Sequence, residues 1–186
     1  MTGFIKIIAG RYKGSKIKVI EHAHLRPTPN RLRESLFNIL QHDIKEARCL
    51  DGFAGTGALG LEAFSRGAAS VVFLESDTQV FHQLQLTLKD FNSDALVSYK
   101  IDCLDFLANT NKQFDIIFLD PPFNQGLWKT CSQRIIERNI LPLGGLLYIE
   151  SPAPEHLNEI DWLLLKTGKI GDVYFAIFQR ISLTKP

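Results

Sequence analysis

Leu50-Asp51-Gly52-Phe53-Ala54-Gly55-Thr56-Gly57-Ala58-Leu59-Gly60 decides how the rest of the chain is read. Cys49-Leu50 is strand-like, the glycines permit a tight loop, and a helix follows over residues 58–66. Moving outward, the apolar run 70–74 ends in Glu75, a helix over 78–90 precedes a strand over 97–101 that ends in Asp102, and a short helix runs through Phe106. The run 114–119 then ends in Asp120. A helix over 127–138, the break Leu141-Pro142-Leu143-Gly144-Gly145 and a strand over 146–150 come next. Residues 162–165 and 173–178, separated by a loop containing Gly168 and Gly171, read as a closing antiparallel hairpin. Strand and helix alternating with turn signals between them predict an α/β fold built on a doubly wound, mostly parallel sheet.

Upstream of that alternation the chain is basic. Residues 1–33 hold eight Lys or Arg and a single acid, Glu21, whereas the remaining 153 residues carry thirteen basic and nineteen acidic side chains. The net charge of +1 thus hides a front segment of +7. Runs 4–9 and 16–20 predict a small β-hairpin whose loop, Gly10-Arg11-Tyr12-Lys13-Gly14, interleaves cations with an aromatic ring, a composition suited to phosphates with bases nearby. The same composition also fits a merely solubilising hairpin. In Arg26-Pro27-Thr28-Pro29-Asn30-Arg31, Thr28 as N-cap and Pro29 at the first helical position predict a helix to about His42, with Leu32, Leu36, Phe37, Ile39 and Leu40 on its apolar side. Arg26 and Arg31 at its start face the same ligand as Arg11 and Lys13. The expected organisation is a basic hairpin extension over 1–25 and a main domain over 26–186.

Length and composition bound the function classes. With 186 residues, 45% of them hydrophobic, the chain supports one well-packed core with a small appendage. No apolar run approaches the ~20 residues of a membrane span and the N-terminus shows no signal pattern, so a soluble, cytoplasmic protein is expected. Cys49, Cys103 and Cys131 are odd in number and widely spaced, which supports neither a disulfide framework nor a zinc site.

Two motifs carry chemistry. Asp120-Pro121-Pro122-Phe123 ends a buried strand. Its prolines lack N–H donors and stiffen the exit, leaving the Asp120 carboxylate and the Pro121 carbonyl as paired acceptors with the Phe123 ring beside them. An exocyclic amine on a nucleobase needs two acceptors and a stacking surface; a plain Asp-Pro turn is the bland alternative. Gly55-x-Gly57-x-x-Gly60 matches the dinucleotide fingerprint, with Glu75 fifteen residues beyond as a ribose ligand, so a nicotinamide-dependent oxidoreductase is a rival. Asp51 at the strand tip would repel a pyrophosphate and attract a cationic amine. Glycines beginning at Gly52 suit S-adenosylmethionine, with Glu75 on both ribose hydroxyls. Asp102 then takes the adenine amine and the Cys103 N–H a ring nitrogen. A basic RNA-binding module with a vestigial cofactor fold is a third reading.

The segments 26–38, 50–67 and 120–123, in that order along nearly the whole chain, resemble the bacterial 16S ribosomal RNA guanine-N2 methyltransferases of the class I, Rossmann-like methyltransferase fold. Asn30 stands where that family usually has an aspartate, and Phe53 where it usually has a leucine. The resemblance implies a seven-stranded sheet with a final antiparallel hairpin, S-adenosylmethionine as methyl donor, no metal, and an N-terminal RNA-binding extension using Arg11, Lys13, Arg26 and Arg31. It implies a cofactor set of Asp51, Phe53, Gly55, Gly57, Glu75, Ser76, Asp102 and Cys103, and a catalytic set of Asp120, Pro121, Pro122 and Phe123. The implied substrate is ribosomal RNA within an assembling small subunit, whose guanine N2 amine attacks the sulfonium methyl, and the enzyme is expected to be a monomer. Adenine-N6 methylation of RNA or DNA is the nearest alternative, since an adenine amine makes the same hydrogen bonds.

Overall fold

The computed structural model describes residues 3–19, 30–122 and 126–182. The unbroken apolar runs form the middle of a seven-stranded sheet, as expected of strands covered on both faces. β3 (Arg48–Asp51), β4 (Ser70–Glu75), β5 (Leu96–Lys100), β6 (Ile116–Leu119) and β7 (Leu146–Ser151) run parallel, and β8 (Trp162–Ile170) and β9 (Val173–Arg180) complete the sheet as an antiparallel hairpin. The spatial order is β5-β4-β3-β6-β7-β9-β8. The chain therefore winds outward from β3 in one direction and from β6 in the other, so the strand order reverses between β3 and β6. Open α/β sheets bind ligands at the carboxyl ends of the strands on either side of such a reversal.

Side-chain alternation divides the interior in two. Cys49, Phe73, Phe118 and Tyr148 point to one face, packed by α1 (Asn30–Ile39), α2 (Ala58–Ser65) and α3 (Thr78–Lys89). Leu50, Leu74, Leu119 and Ile149 point to the other, packed by α4 (Cys103–Asn109) and α5 (Leu127–Glu137). Each fully buried Leu, Ile or Phe contributes about 1.5–3 kcal/mol. Gly60 is where α2 crosses β4: a Cβ there would lie 2.3 Å from Phe73 Cε1 and 2.9 Å from Val71 Cγ1, so only glycine allows this approach.

β1 (Gly3–Lys6) and β2 (Lys16–Val19) form a separate antiparallel hairpin with Ile5 opposite Ile17. Two strands alone are marginal in water, and this pair is held by α2. The Glu62 carboxylate accepts the N–H groups of Ile8 at 2.8 Å and Ala9 at 3.1 Å. The Ser65 hydroxyl donates to the Ala9 carbonyl and accepts the Tyr12 N–H, while its carbonyl accepts the Arg11 N–H. Gly10 has φ +84°, and a Cβ on it would sit 1.9 Å from the Ser65 carbonyl oxygen, so the loop closes onto α2 only with glycine. Arg33 of α1 is wholly buried, donates to the Lys6 carbonyl at 2.9 Å, and lies 4.0 Å from Glu62.

Some element boundaries differ from the sequence reading. α1 ends at Ile39 rather than near His42, because the chain turns to place the Asp43 and Ile44 N–H groups on the Leu40 carbonyl, burying Ile44 and leaving Ile39 37% exposed. Thr28, Pro29, Arg26, Phe123 and the 25/26 boundary lie outside the described residues. β8 continues to Ile170, past the polar Lys166-Thr167-Gly168-Lys169, with a register shift between Leu164 and Lys166. An edge strand needs only one neighbour and tolerates polar residues on its open side.

Candidate active site

Asp51 is the last residue of β3 and Asp120 follows the last residue of β6, the two strands at the reversal. Glu75 ends β4, Glu150 precedes the last residue of β7, and Asp102 lies just beyond β5. Asp51, Glu75, Asp120 and Glu150 stand two positions after Cys49, Phe73, Phe118 and Tyr148, so strand alternation directs them to the face covered by α2. Four acids thereby share the carboxyl edge of one face.

Their environments differ. Asp51 is 2% exposed and, among the described residues, accepts one hydrogen bond, from the Gly60 N–H at 2.9 Å in the first turn of α2. Burial pushes its carboxyl up to about 7; the Gly60 N–H works against this, and the charges of Asp120 and Glu75 add to it. Among the described residues the charges acting on Asp51 are thus both acidic, an arrangement that a cation would relieve. Glu75 is half-buried, and its two oxygens each take one backbone N–H, from Gly55 at 3.0 Å and Asp77 at 2.8 Å. A carboxylate has about four acceptor positions, so it retains capacity for two hydroxyls. The glycine loop is thus tied to the strand tip that follows it.

The loop needs its glycines. Gly55 and Gly57 have φ +51° and +79°, the left-handed region. A Cβ on Gly52 would come to 3.0 Å from both Cys103 Sγ and a Leu119 methyl. Phe53 is half-buried against the α4/α5 face and Ser76 is exposed. Asp102 caps α4 through Oδ1, accepting the Leu104 N–H at 2.7 Å and the Asp105 N–H at 3.4 Å. Cys103 opens that helix, where first-turn N–H groups lack intrahelical partners. Its thiol is buried 3.9 Å from that of Cys131, a contact that with burial raises its pKa. Pro121 is buried and Pro122 exposed. Arg11, Lys13 and Arg31 are exposed, the first two in the hairpin loop.

The sequence reading missed Glu150 and Tyr148. Tyr148 is 1% exposed, donates to Glu150 Oε1 at 3.0 Å, and is held well above the ordinary tyrosine range by burial and by the charges of Glu150 and Asp120. Phe118 pairs with Tyr148 in the parallel register, so Asp120 and Glu150 leave adjacent strands at the same level. The missed signal was the one used elsewhere: an apolar run ending in an acid. Among the described residues, no cluster of His, Cys, Asp or Glu could hold a metal ion, and no helix is long and apolar enough to cross a membrane.

The family model described as Conserved hypothetical protein 95 matches residues 5–179. Ribosomal RNA small subunit methyltransferase D of Haemophilus influenzae is 40% identical over 183 residues, covering 96% of this chain and 95% of that protein. Its namesake from Escherichia coli K12 is 37% identical, covering 96% and 91%. The solved structure of the Escherichia coli protein yhhF superposes with a TM-score of 0.88 at 37% identity, over 97% of this chain and 99% of that one.

Proposed function

Because the chain belongs to the family of the ribosomal RNA small subunit methyltransferases D, with its class I methyltransferase fold, we propose that it methylates the exocyclic N2 amine of a guanine in 16S ribosomal RNA using S-adenosylmethionine. The observation that carries this reading is the buried Asp51 facing Asp120 and Glu75 at the strand-order reversal. That anionic pocket fits a cofactor bearing an ammonium and a sulfonium and opposes the pyrophosphate of a nicotinamide dinucleotide. S-adenosylmethionine, when bound, supplies an electrophilic methyl group on a positively charged sulfur.

The chain's own residues do the rest. Asp51 holds the amino-acid end of the cofactor, Phe53, Gly55 and Gly57 admit it to close backbone approach, and Glu75 with Ser76 takes the ribose. Asp102 and the Cys103 N–H read the adenine. A guanine N2 amine is a poor nucleophile because its lone pair is delocalised into the ring. Asp120 and the Pro121 carbonyl accept its two N–H bonds and favour the pyramidal geometry that frees the lone pair, a positioning and electrostatic role. Pro122 stiffens the loop, and Phe123 stacks on a base taken out of its helix. Arg11, Lys13, Arg26 and Arg31 take phosphates. The substrate is ribosomal RNA in an assembling small subunit, and the enzyme is a cytoplasmic monomer.

The test is nucleoside analysis of ribosomal RNA particles incubated with the protein and S-adenosylmethionine. N2-methylguanosine is expected with wild type and not with Asp120→Ala, while S-adenosylhomocysteine affinity of that variant stays within about twofold, since Asp120 contacts the substrate. N6-methyladenosine as the product would move the reading to an adenine amine. Tight NADH binding without a response to S-adenosylhomocysteine would defeat it.

A further inference from the structure

The two hairpin strands present unlike faces. Ile5, Ile7 and Ile17 turn inward to the core. Phe4, Lys6, Lys16 and Lys18 are exposed, with Phe4 opposite Lys18 and Lys6 opposite Lys16 in the antiparallel register. Phe4 is 58% exposed, and the Lys16 ammonium sits 5.5 Å from its ring centroid. Among the described aromatic residues only Tyr99, at 38%, is otherwise exposed. The Phe4 ring thus shares an outward face with three lysines and lies outside the core beneath it.

The backbone under this face is rigidly held. Arg33 donates to the Lys6 carbonyl from a fully buried position, and Glu62 fixes the next residues, Ile8 and Ala9. The ring and its lysines are therefore presented on a braced platform.

We propose that the outer face of this hairpin, Phe4 with Lys6, Lys16 and Lys18, binds an unpaired RNA nucleotide, its base stacked on Phe4 and the flanking phosphates on the lysines. An aromatic face within a cationic groove is the chemistry that takes single-stranded nucleic acid without reading its sequence. Unpaired segments of RNA expose bases for such stacking, whereas paired ones do not. The lysines exclude a cationic partner and disfavour a second copy of this face, which would oppose like charges. The proposal rests on RNA being the substrate, and it lengthens the RNA footprint from the loop cations Arg11 and Lys13 to the open end of the hairpin.

Two independent signatures separate stacking from charge. With the full chain and a labelled single-stranded RNA oligonucleotide, fluorescence anisotropy across a salt series should show Phe4→Ala binding about five- to a hundredfold more weakly, with the log–log salt slope unchanged. Lys6→Ala/Lys18→Ala should instead lower that slope by about 1.4, or roughly 0.7 per lost phosphate contact. Trp128 and Trp162 are both 3% exposed, so Phe4→Trp adds a solvent-facing reporter; it should retain affinity and lose fluorescence as RNA is added. S-adenosylhomocysteine affinity should not change in any of these variants. Undiminished binding by Phe4→Ala, or no fluorescence response from Phe4→Trp, overturns the stacking platform. A dimer that sedimentation finds in wild type and not in Phe4→Ala also overturns it, in favour of a second copy as the occupant. These readouts are of binding alone. A wild-type protein that binds the RNA as described and leaves ribosomal RNA unmethylated would sink the functional reading and not this one.

Discussion

Asp51 and Glu62 are both buried carboxylates within a dozen residues of each other, and they are opposites. Glu62 is fully enclosed, accepts the Ile8 and Ala9 N–H groups and the Arg66 guanidinium at 2.7 Å, and lies 4.0 Å from Arg33. Among the described residues, Asp51 accepts one N–H and faces two other acids. A buried charge is costly unless paired and hydrogen-bonded. Glu62 is compensated inside the chain and builds structure, while among the described residues the charges acting on Asp51 are those of two other acids. Degree of burial does not tell them apart; the sign of their neighbours does. α2 connects the two, with its first turn on Asp51 and its later turns on the hairpin.

The sharpest way to break the contrast is to remove each acid. Glu62→Ala leaves Arg33 buried without its counter-charge and unties two backbone N–H groups, so it should cost about 3–5 kcal/mol of folding stability, read from urea unfolding. A loss under about 1 kcal/mol would show that the buried cluster is not what holds the hairpin.

Asp51→Asn should act in the opposite direction. The Asp51 carboxyl moves from an ordinary 3.8 to about 7 on folding, so the folded state holds the proton more tightly and ionising it destabilises the fold. No penalty exists below the lower value, it grows as pH rises between the two, and it is complete above about 7. A difference of that size corresponds to on the order of 4 kcal/mol. The cofactor-free variant should thus be more stable than wild type by up to about that amount at pH 8, with the two converging near pH 4. The same variant should bind S-adenosylhomocysteine more weakly and lose the wild-type rise in affinity as pH increases toward 8, checked by calorimetry across pH. A variant less stable than wild type at both ends would place Asp51 in the same class as Glu62.

Gly60→Ala probes the helix between them. The added methyl meets Phe73 and Val71 in the core, an overpacking cost of about 1–3 kcal/mol in thermal or urea unfolding. Because it also shifts the N–H that Asp51 accepts, cofactor affinity should fall with it; intact affinity would uncouple the loop from the packing of α2. The smallest effect is expected at the opposite edge of the sheet, where Arg48 and Asp115 make an ion pair with their side chains 48% and 38% exposed. Arg48→Ala should cost less than about 1 kcal/mol and leave methylation untouched. A drop in activity there would mean that the amino edge also takes part in the site.

What the sequence determined by itself was everything that depends on near neighbours along the chain. Apolar runs of strand length, helices between them and glycines at the loop announced the doubly wound sheet, and Asp51, Glu75, Asp102 and Asp120 announced their strand ends. The resemblance supplied the strand count and the substrate. The tertiary structure alone decided which acids meet and what each one faces. Glu62 and Arg33 look like ordinary polar positions on two helices; their partners, Ile8, Ala9 and Lys6, lie 54, 53 and 27 residues away. Glu150 becomes part of the site only because β7 pairs beside β6 in register. Phe4 reads as one more strand hydrophobe until docking sends Ile5 and Ile17 inward and leaves it outside. Local pattern records which face a residue can take, and only packing between distant segments sets what lies against that face and with what charge.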